Sequence, residues 1–219
     1  TGTLRIGDGG TTGVLGLGAV TNDASLVFNR SNAISVANVI AGTGAVTKLG
    51  AGVLTLSGSN SYSGATAVDV GGLLINGAHS GLGAVTVASA ARFGGDGSLA
   101  GNLGLANGAL FVFNPSATLD VAGSVTLDNS FSVASLVNPD GSAIDWVAVG
   151  DGTYTLINTA STFNNIANFG AGNAADIGGG RTAYFQNGSL QLVVVPEPGA
   201  LALAGIGVAA AIWARRRRA

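Results

Sequence analysis

The chain has 219 residues, of which 37 are glycine, only 9% are charged, and none is cysteine or methionine. Low charge with abundant Val, Leu and Ala argues against disorder, and the lack of cysteine excludes a disulfide framework, so stability has to come from packing and backbone pairing. The net charge of -2 comes with no basic stripe, and nucleic acid is therefore not an expected partner.

Short segments rich in β-branched residues and bounded by Gly, Asn, Asp and Ser predict strands through the first third of the chain. They are Thr3–Ile6, Ser25–Phe28, Ala33–Ile40, Ala45–Lys48, Val53–Leu56, Thr66–Val70 and Leu73–Ile75. No comparable segment before Pro196 has convincing helical spacing. Strands this short and this closely spaced indicate either an antiparallel sandwich or barrel, or a stacked solenoid.

Internal repetition favours the solenoid. Gly-Ala-Val-Thr occurs at 18–21, 44–47 and 83–86, and Gly-Ser-Val-Thr-Leu occurs at 123–127. Repeats with variable spacing, whose extra residues fall in Gly/Ser-rich loops, are tolerated by a coil of stacked turns. In such a coil the inward side chains stack on their equivalents one turn away, and the backbone pairs along the axis at ~4.8 Å.

Residues 44–75 contain a longer motif. Gly-x-Gly-x-Leu-Thr-Leu-Ser-Gly (50–58) is followed by Asn-x-Tyr-Ser-Gly (60–64), Thr-x-Val (66–68) and a closing Gly-x-Leu. This order resembles the autotransporter-associated β-strand repeat, which implies a right-handed parallel β-helix in a secreted or surface protein. Gly2–Ile6 is similar to the tail of a further copy, so we expect that the chain begins within an array and that N-terminal sequence, including a signal peptide, has been lost.

From about Ala88 the pattern loosens but still predicts strands, at Leu110–Phe113, Thr118–Val121, Ser124–Leu127, Phe131–Val137 and Ile144–Val149. Near the end, Ala183–Phe185 and Ser189–Val193 flank Asn187-Gly188, a strong hairpin signal. Because an open solenoid edge invites aggregation, we predict a β-helix over residues 1–139 and then the last turns with a C-terminal β cap over 140–192. A separate small β-sandwich that begins near Asn138 is the alternative.

Residues 193–219 combine three features. Pro196-Glu197-Pro198 precedes Gly199–Ala214, in which all 16 residues are apolar or glycine, and the arginines Arg215, Arg216, Arg217 and Arg218 follow. A helix of 16 residues spans about 24 Å, slightly less than a ~30 Å hydrocarbon core. We predict one transmembrane-type helix, with the arginines as a membrane-stop cluster on the cytoplasmic side.

This order of motif, apolar span and basic tail resembles the PEP-CTERM sorting signal, which an exosortase handles in bacteria that make exopolysaccharide. The resemblance implies that Pro196, Glu197 and Pro198 are the recognition motif and that the membrane span is a temporary anchor. It also implies an exported protein of the cell envelope, cell surface or extracellular matrix, with an exosortase-type enzyme as partner. The alternatives are a plain single-span anchor and a buried core helix followed by a basic tail.

Few residues could carry chemistry. His79 is the only histidine and lies in a predicted loop at 77–81; without Cys or a second His it offers no plausible zinc site. Gly94–Gly97 is similar to one fragment of a calcium-binding nonapeptide, but a lone copy predicts a turn. Tyr62 is interpreted as covering a turn of the chain rather than as a sugar-stacking platform. Corner positions are favoured over a side-chain ladder for Asn22, Asn29, Asn32 and Asn38.

We therefore predict no catalytic residue, no metal and no cofactor. Parallel β-helices also host polysaccharide lyases and glycoside hydrolases, but these gather charged residues in a groove, whereas the only glutamate here is Glu197. The first hypothesis is a non-enzymatic structural or adhesive surface protein, with extracellular polysaccharide as a candidate partner. The second is a carbohydrate-binding or carbohydrate-cleaving β-helix, which requires Asp pairs and aromatic residues that converge on one groove.

Overall fold

The computed structural model describes residues 2–160, 163, 168–187 and 189–197. Within these residues the chain is all-β and forms a parallel solenoid of about six turns, followed by antiparallel strands. The described helical structure is limited to two short 3-10 segments, Val133–Ser135 and Ala171–Asn173.

The strands are short, as the close spacing of glycine and polar residues predicts. In the first half they are β1 (Thr3–Ile6), β2 (Val20–Thr21), β3 (Ser25–Asn29), β4 (Ile34–Val36), β5 (Ile40–Ala41), β6 (Ala45–Leu49), β7 (Val53–Leu56), β8 (Thr66–Val68), β9 (Gly72–Ile75), β10 (Ala78–His79) and β11 (Val85–Val87). In the second half they are β12 (Arg92–Gly94), β13 (Ser98–Leu99), β14 (Leu103–Leu105), β15 (Leu110–Val112), β16 (Leu119–Val121), β17 (Val125–Leu127), β18 (Leu136–Val137), β19 (Gly152–Thr159), β20 (Ala175–Gly178), β21 (Arg181–Gln186) and β22 (Leu190–Pro196).

Three parallel sheets form the sides of the solenoid. Sheet 1 has the order β1-β3-β6-β8-β11-β14-β17, sheet 2 has β4-β7-β9-β12-β15-β18, and sheet 3 contains β10-β13-β16-β19. Paired positions are between 18 residues apart (Val85 and Leu103) and 22 residues apart (Thr3 and Ser25). The parallel pairing confirms the predicted solenoid and shows that the antiparallel sandwich or barrel is wrong for this part of the chain.

The core is a set of stacked rows of apolar side chains. Alternate residues of each strand point inward, so that equivalent positions of successive turns meet. On sheet 2 the inward row contains Ile34, Leu54, Leu73, Phe93, Phe111 and Leu136. Four of these side chains, those of Leu54, Leu73, Phe93 and Phe111, are at most 2% exposed. Stacking of this kind removes apolar surface from water without any helix.

Glycine at the corners allows the backbones of adjacent turns to approach closely. A Cβ atom on Gly81 would lie 1.8 Å from the carbonyl oxygen of Tyr62, one turn away. At Gly95, φ is +136° and a Cβ atom would lie 2.0 Å from the carbonyl oxygen of Ile75. Only glycine fits such positions, because any other side chain would collide with the neighbouring backbone.

The strands β19–β22, here called the antiparallel layer, change the direction of pairing in sheet 3. β19 pairs in parallel with β16 through Leu119–Val121 and antiparallel with β22. β21 then pairs antiparallel with both β22 and β20, which confirms the predicted pairing of Ala183–Phe185 with the following strand. The Phe185 ring stacks on Phe131 with centroids 5.3 Å apart, and this contact joins the layer to the solenoid core.

Three predicted elements differ from the structure. Ala33–Ile40 is not one strand but two, β4 and β5, because the chain turns a corner between sheets at 37–39. Phe131–Val137 contains a 3-10 segment and only the two-residue strand β18. Ile144–Val149 forms no strand, and the Trp146 ring packs instead against Phe113 with centroids 5.9 Å apart.

The predicted transmembrane-type helix at Gly199–Ala214 and the cluster Arg215–Arg218 lie outside the described residues. In the part of the chain that the structure describes, we find no helix with the length and apolar character needed to span a membrane. The anchor therefore stays a prediction from the sequence.

Candidate functional site

The Asn-x-Tyr-Ser-Gly motif packs into the solenoid rather than onto its surface. Tyr62 is 1% exposed, and its Oη lies 2.8 Å from Thr66 Oγ1 in a hydrogen bond. Burial raises the pKa of Tyr62 to about 12, and the Thr66 hydroxyl opposes this shift. A sugar cannot stack on a ring in this position, so Tyr62 has the structural role that the sequence favoured.

Asn60 replaces a strand in sheet 3, where β5 and β10 are separated by one turn without regular pairing. Its Oδ1 accepts the N–H of Ile40 at 3.0 Å, and its Nδ2 donates to the carbonyl of Gly58 at 3.1 Å. Its backbone N–H donates to Ala78 at 2.7 Å, and its carbonyl accepts the N–H of Ser80 at 2.9 Å. One asparagine thus continues the ladder in both directions.

His79 lies in strand β10 and not in a loop, so the sequence-based placement was wrong. Its side chain is 1% exposed, and its ring centroid is 4.3 Å from that of Tyr62. Neither ring nitrogen has a hydrogen-bond partner. Burial lowers the pKa of His79, and the backbone of Asn60 opposes this shift. The imidazole is therefore neutral inside the fold.

No acidic cluster surrounds His79. The cleft of about 240 Å³ beside it is lined by Ala78, Ser80, Ser98, Leu99 and Ala100, with Asp120 as its single carboxylate. Asp120 accepts a hydrogen bond from Asn158 at 2.8 Å. Among the described residues no group of three or more His, Asp or Glu side chains could hold a metal ion. The geometry offers no catalytic constellation at this position.

Lys48 is a buried cation that the sequence analysis missed. It occupies the inward row of sheet 1 between Phe28 and Val68 and is 2% exposed. Its Nζ donates to the carbonyls of Leu49 and Gly50, each at 2.8 Å, and of Val70 at 3.1 Å. Burial, with a smaller contribution from the positive charge of Arg92, lowers the pKa of Lys48 to about 8. The alternation Val46-Thr47-Lys48 was the available signal, since Lys48 shares the face of Val46.

The predicted corner asparagines lie at corners. Asn22 Nδ2 donates to the carbonyl of Ala45 at 2.9 Å, and Asn38 Nδ2 donates to the carbonyls of Gly16 and Gly18, each at 2.6 Å. Asn32 Oδ1 accepts from the guanidinium of Arg30 at 3.0 Å. Asn29 is buried where β3 ends. Gly94–Gly97 forms the bend between β12 and β13 with an exposed Asp96, as a lone copy of that motif predicts.

The predicted sorting motif begins in the antiparallel layer. Pro196 is the last residue of β22 and lies opposite Arg181 of β21. The N–H of Glu197 donates to the carbonyl of Gly180 at 2.8 Å. Pro198, Arg215, Arg216, Arg217 and Arg218 lie outside the described residues, so the structure does not place the whole motif.

The fold and these internal motifs define a parallel β-solenoid built from short repeats, with a sequence signal at its end. Residues 46–75 match the family model described as passenger-associated-transport-repeat, and residues 194–218 match the PEP-CTERM protein-sorting motif. Both matches confirm the resemblances seen in the sequence. No solved structure matches the chain.

A curated relative is an adhesin. Over 101 residues, which are 44% of this chain, the sequence is 44% identical to the adhesin BmaC autotransporter of Brucella suis biovar 1 (strain 1330). The matched region covers 3% of that protein's length. Repeat, sorting motif and relative together support an exported cell-surface β-solenoid protein.

Proposed function

We propose that this protein is a non-enzymatic structural or adhesive β-solenoid, displayed on the bacterial surface or in the surrounding matrix and delivered there by its PEP-CTERM signal. The observation that carries the proposal is the use of the repeat motif. Asn60 and Tyr62 spend their functional groups on joining and filling turns of the solenoid. Residues that hold a scaffold together in this way are not available for catalysis.

The outward surface of sheet 1 supports a contact role. Its central row carries small side chains on successive turns, so the face is flat along the solenoid axis. The row runs through Val27, Thr47, Ala67, Thr86, Gly104 and Thr126. A flat face of this kind fits broad contact with another surface better than it fits a small substrate, which needs a concave pocket.

The carbohydrate-cleaving alternative has no specific observation in its favour. The large apolar side chains that are exposed in the described residues are Leu4, Leu17, Leu82 and four valines, and none of them is aromatic. Stacking of sugars needs an accessible aromatic face. Carbohydrate contact, in this proposal, takes place through the polar outer surface, with extracellular polysaccharide as the partner.

The C-terminal segment supplies delivery. In this proposal Gly199–Ala214 is a single temporary membrane span, Arg215–Arg218 stay on the cytoplasmic side before processing, and Pro196-Glu197-Pro198 is the motif that an exosortase-type enzyme recognises. Four arginines resist transfer across the membrane because each costs roughly 2.5–3.5 kcal/mol at its centre. The folded part of the chain then lies outside the cell membrane.

The test follows the chain ends and the cell surface together. We would express the full chain behind an export signal in a bacterium that has an exosortase and in the same strain without it. Intact mass of the protein from cells and medium, surface protease digestion and attachment of the cells to a polysaccharide-coated surface are the measurements. The matched control replaces Pro196 and Pro198 with alanine.

We expect loss of Arg215–Arg218 from the mature protein, surface exposure and stronger attachment only where the enzyme and the intact motif are both present. An intact arginine tail on all mature protein would instead indicate a plain membrane anchor. Surface exposure without any gain in attachment would reject the adhesive role and leave the structural one.

A further inference from the structure

The sorting signal begins inside a strand of the antiparallel layer. The family match to the signal starts at residue 194, and β22 continues as far as Pro196. Val194 is fully buried, and the three residues after it are half-buried. The first residues of the signal therefore belong to a folded sheet and not to a free linker.

β21 occupies the backbone groups of this stretch. The N–H of Glu197 donates to the carbonyl of Gly180 at 2.8 Å, and Pro196 lies opposite Arg181. Because hydrogen-bonded and non-hydrogen-bonded pairs alternate along an antiparallel ladder, Arg181 and Pro196 form a non-hydrogen-bonded pair. The missing N–H of Pro196 therefore costs no bond to β21. Val195, by the same alternation, directs both of its backbone groups to β21.

The opposite edge of this stretch offers little to a partner. β19 ends its pairing with β22 at Gly152, which lies opposite Val194. Beyond that point the edge that faces away from β21 carries one backbone group of Val195–Glu197, the carbonyl of Pro196. Recognition of an extended peptide by strand addition depends on a series of main-chain hydrogen bonds. A single acceptor is insufficient for it.

The partner strand is itself anchored. Arg181 Nη1 donates to the carbonyl of Val149 at 2.7 Å and lies 3.7 Å from Asp151 Oδ1, and its Nη2 donates to the carbonyl of Trp146. These contacts fix the first residue of β21 against the segment that precedes β19. The motif is thus held by a strand that does not move away easily.

We propose that the antiparallel layer masks the sorting motif, and that the processing enzyme acts on it only after Val195–Glu197 separate from β21. This inference rests on the proposed function, since it assumes an exosortase-type partner. Processing is then limited by the fraction of molecules in which this end of β22 is open, because a partner that needs a minor state binds in proportion to its population.

A disulfide across β21 and β22 tests the proposal. The chain has no cysteine, so Thr182→Cys/Val195→Cys introduces a single thiol pair beside the motif, at opposed positions. Gln186→Cys/Gln191→Cys is the matched control, since it joins the same two strands at opposed positions of the same hydrogen-bonding class at the far end. The four single-cysteine variants control for the residue changes themselves.

Each variant is exported as the full chain in the exosortase-bearing host, and intact mass follows disulfide formation and the loss of Arg215–Arg218 with time. We expect the Thr182/Val195 disulfide to slow processing at least about fivefold relative to the control disulfide, because it closes the minor state. The single variants should be processed at the wild-type rate. Equal rates for the two disulfides would overturn the masking, while the sorting function would stand.

An insertion gives an independent readout. Gly-Ser-Gly-Ser placed between Val195 and Pro196 removes the motif from β21 and should accelerate processing several-fold, whereas the same insertion within Gly178–Gly180 should leave the rate unchanged. No acceleration by the first insertion would contradict the masking. Failure of the wild-type chain to lose its arginine tail in the exosortase host would overturn the sorting function, and the inference with it.

Discussion

Three polar side chains inside the solenoid differ in how their hydrogen-bonding groups are used. Asn60 and Lys48 satisfy theirs with backbone carbonyls and amides of adjacent turns, whereas both nitrogens of His79 lack a partner. An unpaired buried group costs free energy and a paired one costs much less. The three residues should therefore respond differently to pH and to substitution.

The stability of the protein should fall when acid protonates His79 in the unfolded chain. Its pKa is lowered from 6.5 in the fold, so the unfolded state binds the proton first and the free energy of unfolding decreases as the pH drops below about 6.5. His79→Phe should remove this dependence between about pH 7 and pH 5. Urea unfolding at several pH values measures it.

A matched control for this window is Asp128→Asn. The pKa of Asp128 is lowered from 3.8 by hydrogen bonds from Ser130, and its contribution to stability is therefore lost only at more acidic pH. An unchanged slope between pH 7 and pH 5 in His79→Phe would show that another group controls this range.

Lys48 predicts the opposite trend at alkaline pH. Its pKa falls from 10.5 to about 8 in the fold, so above pH 8 the folded state releases a proton that the unfolded chain still binds, and the free energy of unfolding rises. Above about pH 10 the raised pKa of Tyr62 acts in the other direction, because the unfolded tyrosine ionises first. Denaturation between pH 7.5 and pH 9.5 should show the rise in wild type and not in Lys48→Met.

At the scale of the element, the solenoid is held by rows and ladders rather than by single strands. Most strands of sheets 1 and 2 have three to five residues, too few to be stable alone. Each depends on the strand one turn before and one turn after it. Elements can therefore be tested by removing one connection at a time.

Asn60→Ala should weaken the connection between β5 and the following turn of sheet 3. The substitution leaves the buried N–H of Ile40 without its acceptor, which should cost about 2 kcal/mol of unfolding free energy. Hydrogen exchange of the Ile40 amide should become faster. Asn76→Ala, at an exposed position one turn on, should change neither quantity; a similar loss there would mean that the effect is not specific to the ladder.

Phe93→Ala should open a cavity in the inward row of sheet 2. Phe93 is completely buried and pairs with the position of Phe111, and loss of a buried phenylalanine costs roughly 3–5 kcal/mol. Thermal or urea unfolding measures the change. Thr86→Ala, on the outward face of sheet 1, should stay within about 0.5 kcal/mol of wild type, and equal effects at both sites would contradict the inward assignment.

At the scale of the whole molecule, a solenoid should tolerate removal of a complete turn but not of half a turn. Val85 pairs with Thr66, so deletion of residues 66–84 brings Val85 into the place of Thr66 and keeps every inward row in register. The shorter chain should remain folded with a smaller denaturant m-value, because it exposes less surface on unfolding.

Deletion of residues 75–84 is the control for this experiment. It shifts the following strands out of register with the turn below and moves apolar residues toward the solvent. Circular dichroism and size-exclusion chromatography should then report loss of the folded monomer. A folded half-turn deletion would show that stacking in register does not specify this molecule.

The sequence by itself determined that the chain is a β-solenoid with a sorting signal, because strand-forming runs, turn residues and the repeat motifs at 44–75 are local patterns. It also placed the corner asparagines and the pairing of β21 with β22. Only the tertiary structure decided that Lys48 and His79 point inward, that Asn60 replaces a strand, and that Ile144–Val149 forms none. It also decided that Pro196 and Glu197 are held by β21. These features depend on residues 18 to 22 positions away along the solenoid, or across the antiparallel layer, and the variable turn length hides such partners from a local pattern.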